Sequence, residues 1–311
     1  MFFGPAREVV DAALDEYVAA TSRAELPAKP SKIIRASVDG VDALGINVHG
    51  KQRIVGLRVD KLHELCRATR RVLAARVCPG IVMARLVGRW TWAMLVVRPA
   101  LSVFSAVYRF IECSGRVPFH VWPSVRHELR MAMCIAPLLH VSVAAQWFPQ
   151  VVACDASLDG QGVCAARLPE AVISAAAAHS GVIVPQHRDA AVEEALDAPL
   201  FHGSVVWRTI VASRWHAEEH INRLELRSAS TALRWVLSSP VSIRHRLLLL
   251  SDSQVAVGVL SKGRSSTYHM LRRMRPIAAL LLGSGVQLYT RWIASHLNPA
   301  DGPSRRFSLA T

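Results

Sequence analysis

Four acidic residues have the types and the sequence contexts of a shared metal site: Asp155, Glu225, Asp252 and Asp301. An apolar run at residues 151–154 leads into the first of these acids, and another at residues 247–250 leads to the third. Short apolar runs of this kind are typical of buried strands, and strand ends present functional groups to a cleft. We therefore expect the acids to converge at one end of a sheet.

The chemistry that such a set of carboxylates supports is phosphodiester hydrolysis. That reaction needs an activated water and a stabilised leaving oxygen, and two Mg²⁺ ions about 4 Å apart can provide both. Mg²⁺ takes a few carboxylate oxygens and keeps some of its waters. The sequence thus predicts two Mg²⁺ ions, replaceable by Mn²⁺, held by carboxylates within about 4–8 Å of one another.

Each acid also has a simpler local interpretation. Asp155 fits a plain turn at the end of a strand, and Glu225 fits a capping box with Asn222. Asp252 could cap the following helix, and Asp301 could be a first-turn acid favoured by the helix dipole. The order of the four acids and their placement beside strands and helix starts favour the shared site.

Hydrophobic periodicity after residue 149 predicts an α/β domain. We expect a hairpin around Asp159-Gly160 and three further strands; the five predicted strands are 150–155, 161–167, 205–212, 247–251 and 286–293. Predicted helices cover 223–238 and 267–282, and a short one begins near Pro299. Residues 169–203 have low complexity and are interpreted as an insertion or a flexible excursion.

The first half of the chain is predicted to be mostly helical. We expect helices at 6–22, 60–77 and 124–138, and two more within 80–113 that are broken near Pro99. A hairpin at 33–48 is expected to turn at Asp39-Gly40.

Two motifs carry a resemblance to a known family. The stretch 220–227, His-Ile-Asn-Arg-Leu-Glu-Leu-Arg, resembles the first helix motif of ribonucleases H in DIRS-type retroelements with tyrosine recombinases. The stretch 298–305, Asn-Pro-Ala-Asp-Gly-Pro-Ser-Arg, resembles their terminal motif. Upstream, Pro30-Ser31-Lys32 and residues 43–46 are similar to the late palm hairpin of a reverse transcriptase.

The resemblance implies three regions. Residues 1–59 would be a palm remnant, 60–148 a helical thumb or connection, and 149–311 an RNase H-like mixed five-stranded sheet with flanking helices. It also implies an endoribonuclease that hydrolyses the RNA strand of RNA/DNA hybrids, with Asp155 bridging both metals. The remaining acids would divide between the two metals, Glu225 and Asp252 on one and Asp301 on the other.

Two further expectations concern activity and partners. The chain contains no Asp-Asp dipeptide, so we expect no reverse transcriptase activity from it alone, and the missing polymerase portion is a possible partner. The alternative within the same family is an inactive retroelement remnant that binds nucleic acid without cutting it.

Residues beside the acids are candidates for contacts with the hybrid: Ser157, Gly160, Gly162, Asn222, Gln254 and Asn298. The two glycines would let a strand approach closely. Arg272 and Arg273 belong to a basic run that could follow a phosphate backbone, or could be a solvated helix face. His296 is a candidate for product release.

The formal net charge of +14 favours an anionic polymer as partner. Arginines interrupt the most apolar stretch, 80–110, so we expect no membrane partner. Six cysteines without a Cys-x-x-Cys pair favour free thiols in a reducing compartment, and we expect an intracellular protein without a signal peptide.

One competing motif predicts different chemistry. His216-Ala-Glu-Glu219-His220 fits an inverted zinc-hydrolase signature, in which both histidines share one helical face and Glu219 is the base. A downstream acidic ligand is missing from the sequence, because Glu225 is the last glutamate and lies too near.

Overall fold

The computed structural model describes residues 6–43, 45–180 and 197–308. The chain begins with helix α1 (Arg7–Arg23), as its periodicity predicts, and continues into three short strands: β1 (Val41–Ala43), β2 (Ile46–His49) and β3 (Ile54–Leu57). The chain reverses between β1 and β2 and not at Asp39-Gly40, so the predicted position of the hairpin turn is wrong. Asp39 and Gly40 lie ahead of β1, where they form a bend.

A helical region follows and has its own core. Its elements are α2 (Val59–Ala74), β4 (Val77–Pro79), α3 (Gly80–Met94), a 3₁₀ segment (Leu95–Val103), α4 (Ala106–Ser114), β5 (Pro118–His120) and α5 (Pro123–Ile135). Trp90, Met94 and Phe110 are fully buried at its centre. The indole of Trp90 donates a hydrogen bond to the hydroxyl of Thr69 at 2.9 Å. A further strand, β6 (His140–Ser142), returns to pair with β3.

The most apolar stretch is Gly80–Val103, which has the length and composition of a membrane-crossing helix, with a mean hydropathy of 1.3. Its α-helical part ends at Met94, and fifteen residues span about 22 Å at 1.5 Å each, less than the ~30 Å of a bilayer core. Met83, Trp90 and Met94 are fully buried. A buried core helix passes the same test of length and composition.

The second half of the chain forms a five-stranded mixed sheet. Its strands are β7 (Gln150–Ala156), β8 (Gly160–Arg167), β9 (Arg208–Arg214), β10 (Arg246–Ser251) and β11 (Gln287–Trp292), in the order β11-β10-β7-β8-β9. The strands β7, β8 and β9 form an antiparallel meander, whereas β10 and β11 run parallel to β7. A mixed α/β fold with this sheet was predicted from the sequence, and β9 begins three residues later than expected.

Helices cover both faces of this sheet. They are α6 (Glu170–Ala177), α7 (Ile221–Leu237), α8 (Gln254–Lys262), α9 (Tyr268–Ser284) and α10 (Asp301–Arg305). Leu247 and Leu249 of β10 join the core beneath α7, α8 and α9, whereas Leu248 and Leu250 face α6. The unbroken leucine run of β10 follows from this two-sided burial. Helix α8 is not among the predicted helices, although the local interpretation of Asp252 as a helix cap implies a helix at this place.

The interpretation of 169–203 as an excursion is wrong for the part that the structure describes. Ile173, Ala176 and Ala177 of α6 are buried against the sheet, and Leu200 joins the same core. This segment supplies one of the two layers over the sheet, so its low complexity reflects a small-residue packing face. The remainder, residues 181–196, lies outside the described residues.

Helix α10 packs directly on β8, and two glycines make that contact possible. A Cβ atom on Gly162 would lie 2.2 Å from the carbonyl oxygen of Ala300, and one on Gly160 would lie 2.8 Å from that of Ser304. We expected these glycines to admit a nucleic acid strand, but the terminal segment fills the space over them. Their small size serves the packing of α10, which carries Asp301.

Two polar contacts fix the helical region against the sheet domain. Arg275 of α9 donates hydrogen bonds to the carbonyl oxygens of Ser102 and Val103 at 3.0 and 3.1 Å. It also contacts the buried carboxylate of Glu128, which accepts the backbone N–H groups of Ser105, Ala106 and Val107 at the start of α4. One carboxylate therefore both caps a helix and ties the two parts together.

We predict that Gly162→Ala destabilises the protein by about 2–4 kcal/mol, because neither β8 nor the backbone of Ala300 can move without opening the α10 contact. Urea unfolding measures the change. Gly88→Ala is the matched control: it lies in α3, a Cβ there meets nothing within 4 Å, and helix propensity predicts a gain of about 0.5–1 kcal/mol. Equal effects of the two substitutions would contradict the packing assigned to Gly162.

Candidate metal centre

Strand register places two of the four acids side by side. Leu250 pairs with Ala153 across the parallel strands β10 and β7, and two residues further along each strand lie Asp252 and Asp155. Because parallel strands end at the same edge of a sheet, both carboxylates reach the same end of the domain. Asp155 is 4% exposed, and Asp252 is half-buried.

Helix α7 adds the third acid. One carboxylate oxygen from each of Asp155, Glu225 and Asp252 lies within 4.8 Å of the other two. His220 caps α7 by accepting the N–H of Asn222, so Glu225 lies inside the helix and the capping-box interpretation is wrong. Ser253 caps α8 through its side chain, which leaves the carboxylate of Asp252 free of that task.

The fourth acid does not belong to this group of three. Asp301 occupies the first turn of α10, as its local interpretation predicted, and it also forms an ion pair with Arg305 at 2.8 Å. Its negative charge is nonetheless close enough to contribute to raising the pKa of Asp155. Three of the four predicted acids thus converge at one end of the sheet, and the fourth lies beside them.

The neighbouring loop holds Asp252 in place. The hydroxyl of Ser295 donates to one of its carboxylate oxygens at 2.6 Å, and the amide of Asn298 donates to the other at 3.1 Å. The indole of Trp292 donates to its backbone carbonyl at 2.9 Å. Asn298 is 5% exposed and also donates to the carbonyl of Cys154. We expected Asn298 to contact nucleic acid, but it positions the acid and joins β7 to the terminal segment.

Burial and mutual repulsion dominate the electrostatics of the three acids. Removal from water, followed by the charges of Asp155 and Asp252, raises the pKa of Glu225 to about 9. Removal from water likewise raises the pKa of Asp155 to about 6, and a hydrogen bond from the hydroxyl of Ser304 partly opposes this. The side-chain oxygen Oε2 of Glu225 is buried and has no hydrogen-bond partner.

These properties fit a hard divalent cation. The donor atoms are all carboxylate oxygens, which Mg²⁺ and Mn²⁺ prefer, and one of them is an unpartnered buried oxygen. A cation among the three acids would offset the repulsion that otherwise keeps Glu225 protonated. The described residues therefore contain a buried acidic cluster that can hold a metal.

Of the other residues predicted to contact nucleic acid, some are engaged in contacts within the protein and others are exposed. Ser157 organises the β7–β8 turn, where its hydroxyl accepts the N–H of Gly160 and donates to the carbonyl of Ser304. Arg273 is engaged by Glu219 at 2.6 Å, so it is less available to phosphate than we expected. Three candidates remain accessible, since Gln254, Arg272 and His296 are exposed. Asn222 is half-buried in the first turn of α7.

The zinc-hydrolase interpretation of His216, Glu219 and His220 is wrong. Residues 216–220 precede α7 and are not helical, so the two histidines do not share a helical face. Glu219 forms ion pairs with three arginines, which are Arg223, Arg227 and Arg273. Burial opposes its ionisation, but these arginines outweigh it and hold the pKa of Glu219 below its usual range.

Sequence reasoning missed the two serines that support the cluster, Ser295 and Ser304. Ser304 is fully buried, and its hydroxyl donates to the carboxylate of Asp155. It lies inside the motif 298–305, so its presence there was a usable signal. No local pattern distinguishes Ser295 from an ordinary loop serine.

Comparison with known proteins adds only distant similarities. No protein-family model and no curated protein matches the chain. The dRH form of a foamy viral protease-reverse transcriptase, solved with double-stranded DNA, aligns at 10% identity and a TM-score of 0.31 over 81% of this chain and 38% of that one. A foamy viral protease-reverse transcriptase solved with an RNA/DNA hybrid aligns at 10% identity and a TM-score of 0.23, over 86% and 52%. The chain thus spans only part of both, and TM-scores below 0.5 define neither its fold nor its function.

The raised pKa of Glu225 predicts an unusual pH dependence in the absence of metal. The folded state holds a proton on Glu225 up to a pH of about 9, whereas the unfolded chain loses it near 4.5. Its contribution to stability is therefore full below about pH 4.5 and declines as the pH rises towards 9. At pH 8 in EDTA, Glu225→Gln should stabilise the protein by about 1–3 kcal/mol, since the neutral amide folds without the proton uptake that the buried carboxyl of Glu225 requires at this pH.

Urea unfolding at pH 5 and pH 8, with EDTA and with Mg²⁺, measures this effect. The difference in the free energy of unfolding between Glu225→Gln and the parent should be smaller at pH 5 than at pH 8. Added Mg²⁺ should stabilise the parent more than the variant. Glu16→Gln, an exposed glutamate of α1, is the control and should show neither change. A parent protein that is as stable in EDTA at pH 8 as Glu225→Gln would contradict the burial of a repelled carboxylate.

Proposed function

We propose that this chain is a metal-dependent endoribonuclease of the RNase H type, which hydrolyses the RNA strand of RNA/DNA hybrids as part of a retroelement reverse transcriptase. The observation that carries the proposal is the convergence of Asp155, Glu225 and Asp252 within 4.8 Å at one end of a mixed five-stranded sheet. The strand order, with an antiparallel meander followed by two parallel strands, supports an RNase H-like fold.

Each acid has a distinct part in this proposal. Asp155 is central, because its carboxylate faces both Asp252 and the terminal helix that bears Asp301. Glu225 and Asp252 would complete one metal site with it, and Asp301 the other. Two Mg²⁺ ions bound there would supply an activated water and a stabilised leaving oxygen. Ser295 and Asn298 hold the carboxylate of Asp252 in place by hydrogen bonds, so that Asp252 would meet a bound cation in a fixed orientation.

The substrate class follows from charge and chemistry together. A net charge of +14 favours a polyanion, and carboxylate-held Mg²⁺ is suited to phosphodiester oxygens. A hybrid is distinguished from double-stranded DNA by the 2′-hydroxyl groups of one strand. The accessible polar residues Gln254 and Arg272 are candidates for backbone contacts, and His296 remains a candidate for product release.

A second candidate function is binding of nucleic acid without cleavage. The ion pair of Asp301 with Arg305 favours it, because an acid committed to an arginine is a poorer metal ligand. Arg305 is two-thirds exposed, however, so the pair is weak and readily exchanged for a cation. A cleavage assay separates the two candidates.

We predict that the purified protein cuts the RNA strand of a labelled hybrid and leaves 5′-phosphate and 3′-hydroxyl ends, with an absolute need for Mg²⁺ or Mn²⁺. Asp155→Asn should lower the cleavage rate by about 10²–10³-fold, because metal-ion catalysis contributes several kcal/mol. Binding of the hybrid should survive, since it depends on arginine–phosphate contacts that weaken steeply with salt. Gel-resolved cleavage and fluorescence anisotropy measure the two effects.

Asp159→Asn is the matched control, because it removes a carboxylate from the turn of the same hairpin and should leave cleavage within about twofold of the parent. Full activity of Asp155→Asn would exclude the acidic cluster as the catalytic centre. A parent protein that binds the hybrid and never cleaves it would establish the second candidate function in place of the first.

A further inference from the structure

A cleft of about 980 Å³ lies beside the acidic cluster, between the helical region and the sheet domain. One wall comes from the start of α4 and the other from α8 and the loop to α9. The cleft begins at Gln254 and Trp292, and the indole of Trp292 contacts the backbone of Asp252. It is thus continuous with the end of the sheet where the acids converge.

The walls of this cleft are held at a fixed separation. Gly263, with a φ of +64°, ends α8 against the backbone of Arg98, where a Cβ atom would lie 2.1 Å from the carbonyl oxygen. On the neighbouring helix, Arg275 donates to the carbonyl oxygens of Ser102 and Val103. The main chain of Gly263 and the side chain of Arg275 thus connect the sheet domain to the backbone of the helical region, so the cleft is preformed.

The lining combines positive charge with aromatic surface. Arg109, Lys262 and Arg264 are exposed along it, and Glu112 is the single acid among its lining residues. Tyr108, Tyr268 and Trp292 contribute aromatic rings, and Tyr268 is 55% exposed. Ser265 and Ser266 add hydroxyl groups. Basic side chains interleaved with exposed rings are the usual surface for single-stranded nucleic acid.

The aromatic rings of the cleft indicate whether the bound nucleic acid is a duplex or a single strand. In a duplex the bases are stacked within the helix, so protein contacts are made with phosphates, sugars and groove edges. An exposed tyrosine can stack only on a base that has left its neighbours. We propose that this cleft binds a single-stranded extension of the nucleic acid whose duplex part lies over the acidic cluster. This inference rests on the proposed function in taking nucleic acid as the substrate.

Fluorescence anisotropy tests the proposal, with the full chain in EDTA so that no hydrolysis accompanies binding. The probes are a blunt RNA/DNA hybrid, the same hybrid with a six-nucleotide oligo(dT) extension on either end, and one with an equally long duplex extension. We expect one single-stranded extension to tighten binding by about 5- to 100-fold over the blunt hybrid, as stacking of one base predicts. The duplex extension should add less than twofold.

Variants locate the effect within the cleft. Tyr268→Ala should abolish the gain from the extension, whereas Tyr268→Phe keeps the ring and should retain it. The double substitution Lys262→Ala and Arg264→Ala should make the plot of log affinity against log salt concentration less steep. The slope for extension binding should fall by about 1.4, which is about 0.7 for each lost phosphate contact with a single strand. Arg130→Ala removes an exposed arginine of α5 that does not line the cleft and should have no such effect.

The outcomes separate this proposal from the proposed function. Equal affinity for blunt and extended hybrids would overturn the single-strand assignment even if the protein cleaves. A Tyr268→Ala variant that keeps the whole gain would do the same. A protein that prefers the extension and never cleaves would retain the cleft assignment and lose the nuclease.

Discussion

The repulsion among three clustered carboxylates, two of them buried, is the constraint on which this structure depends. Asp155, Glu225 and Asp252 converge within 4.8 Å, and burial raises the pKa of Glu225 to about 9. A cluster of this kind costs stability unless it is protonated or holds a cation, so it persists only where the surrounding fold compensates. Groups with strongly shifted pKa values are found more often at functional sites than elsewhere in proteins.

The fold compensates from several directions. Two-sided burial of β10 fixes the strand that leads to Asp252, and α7 fixes Glu225 against the sheet. The terminal segment closes over β8 through Gly162 and brings the hydroxyl of Ser304 to Asp155. Asn298 links β7, Asp252 and this segment in one set of hydrogen bonds. Stability elsewhere in the domain thus supports a locally unfavourable group of charges.

The helical region also contains a buried carboxylate whose contacts organise the structure around it. Glu128 uses one buried carboxylate to cap α4 and to contact Arg275 of the sheet domain, and α9 packs along the 3₁₀ segment Leu95–Val103 of the helical region. The junction leaves a basic and aromatic cleft that leads to the acids. The shape of the cleft therefore depends on the contacts between the two parts.

The sequence by itself indicated the five strands of the sheet, most of the helices and, within a predicted set of four, the three acids that converge, because apolar periodicity is a local property of the sequence. The apolar runs before Asp155 and Asp252 predicted strand ends, and parallel pairing then made them neighbours. Only the tertiary structure decided the roles of Gly162, Asn298 and Ser304, since contacts across more than forty residues leave no periodic pattern. The tertiary structure also decided that residues 170–177 cover the sheet, because packing determines whether small residues are buried. It decided that Glu219 forms ion pairs with arginines, because packing brings the partners of an ion pair together.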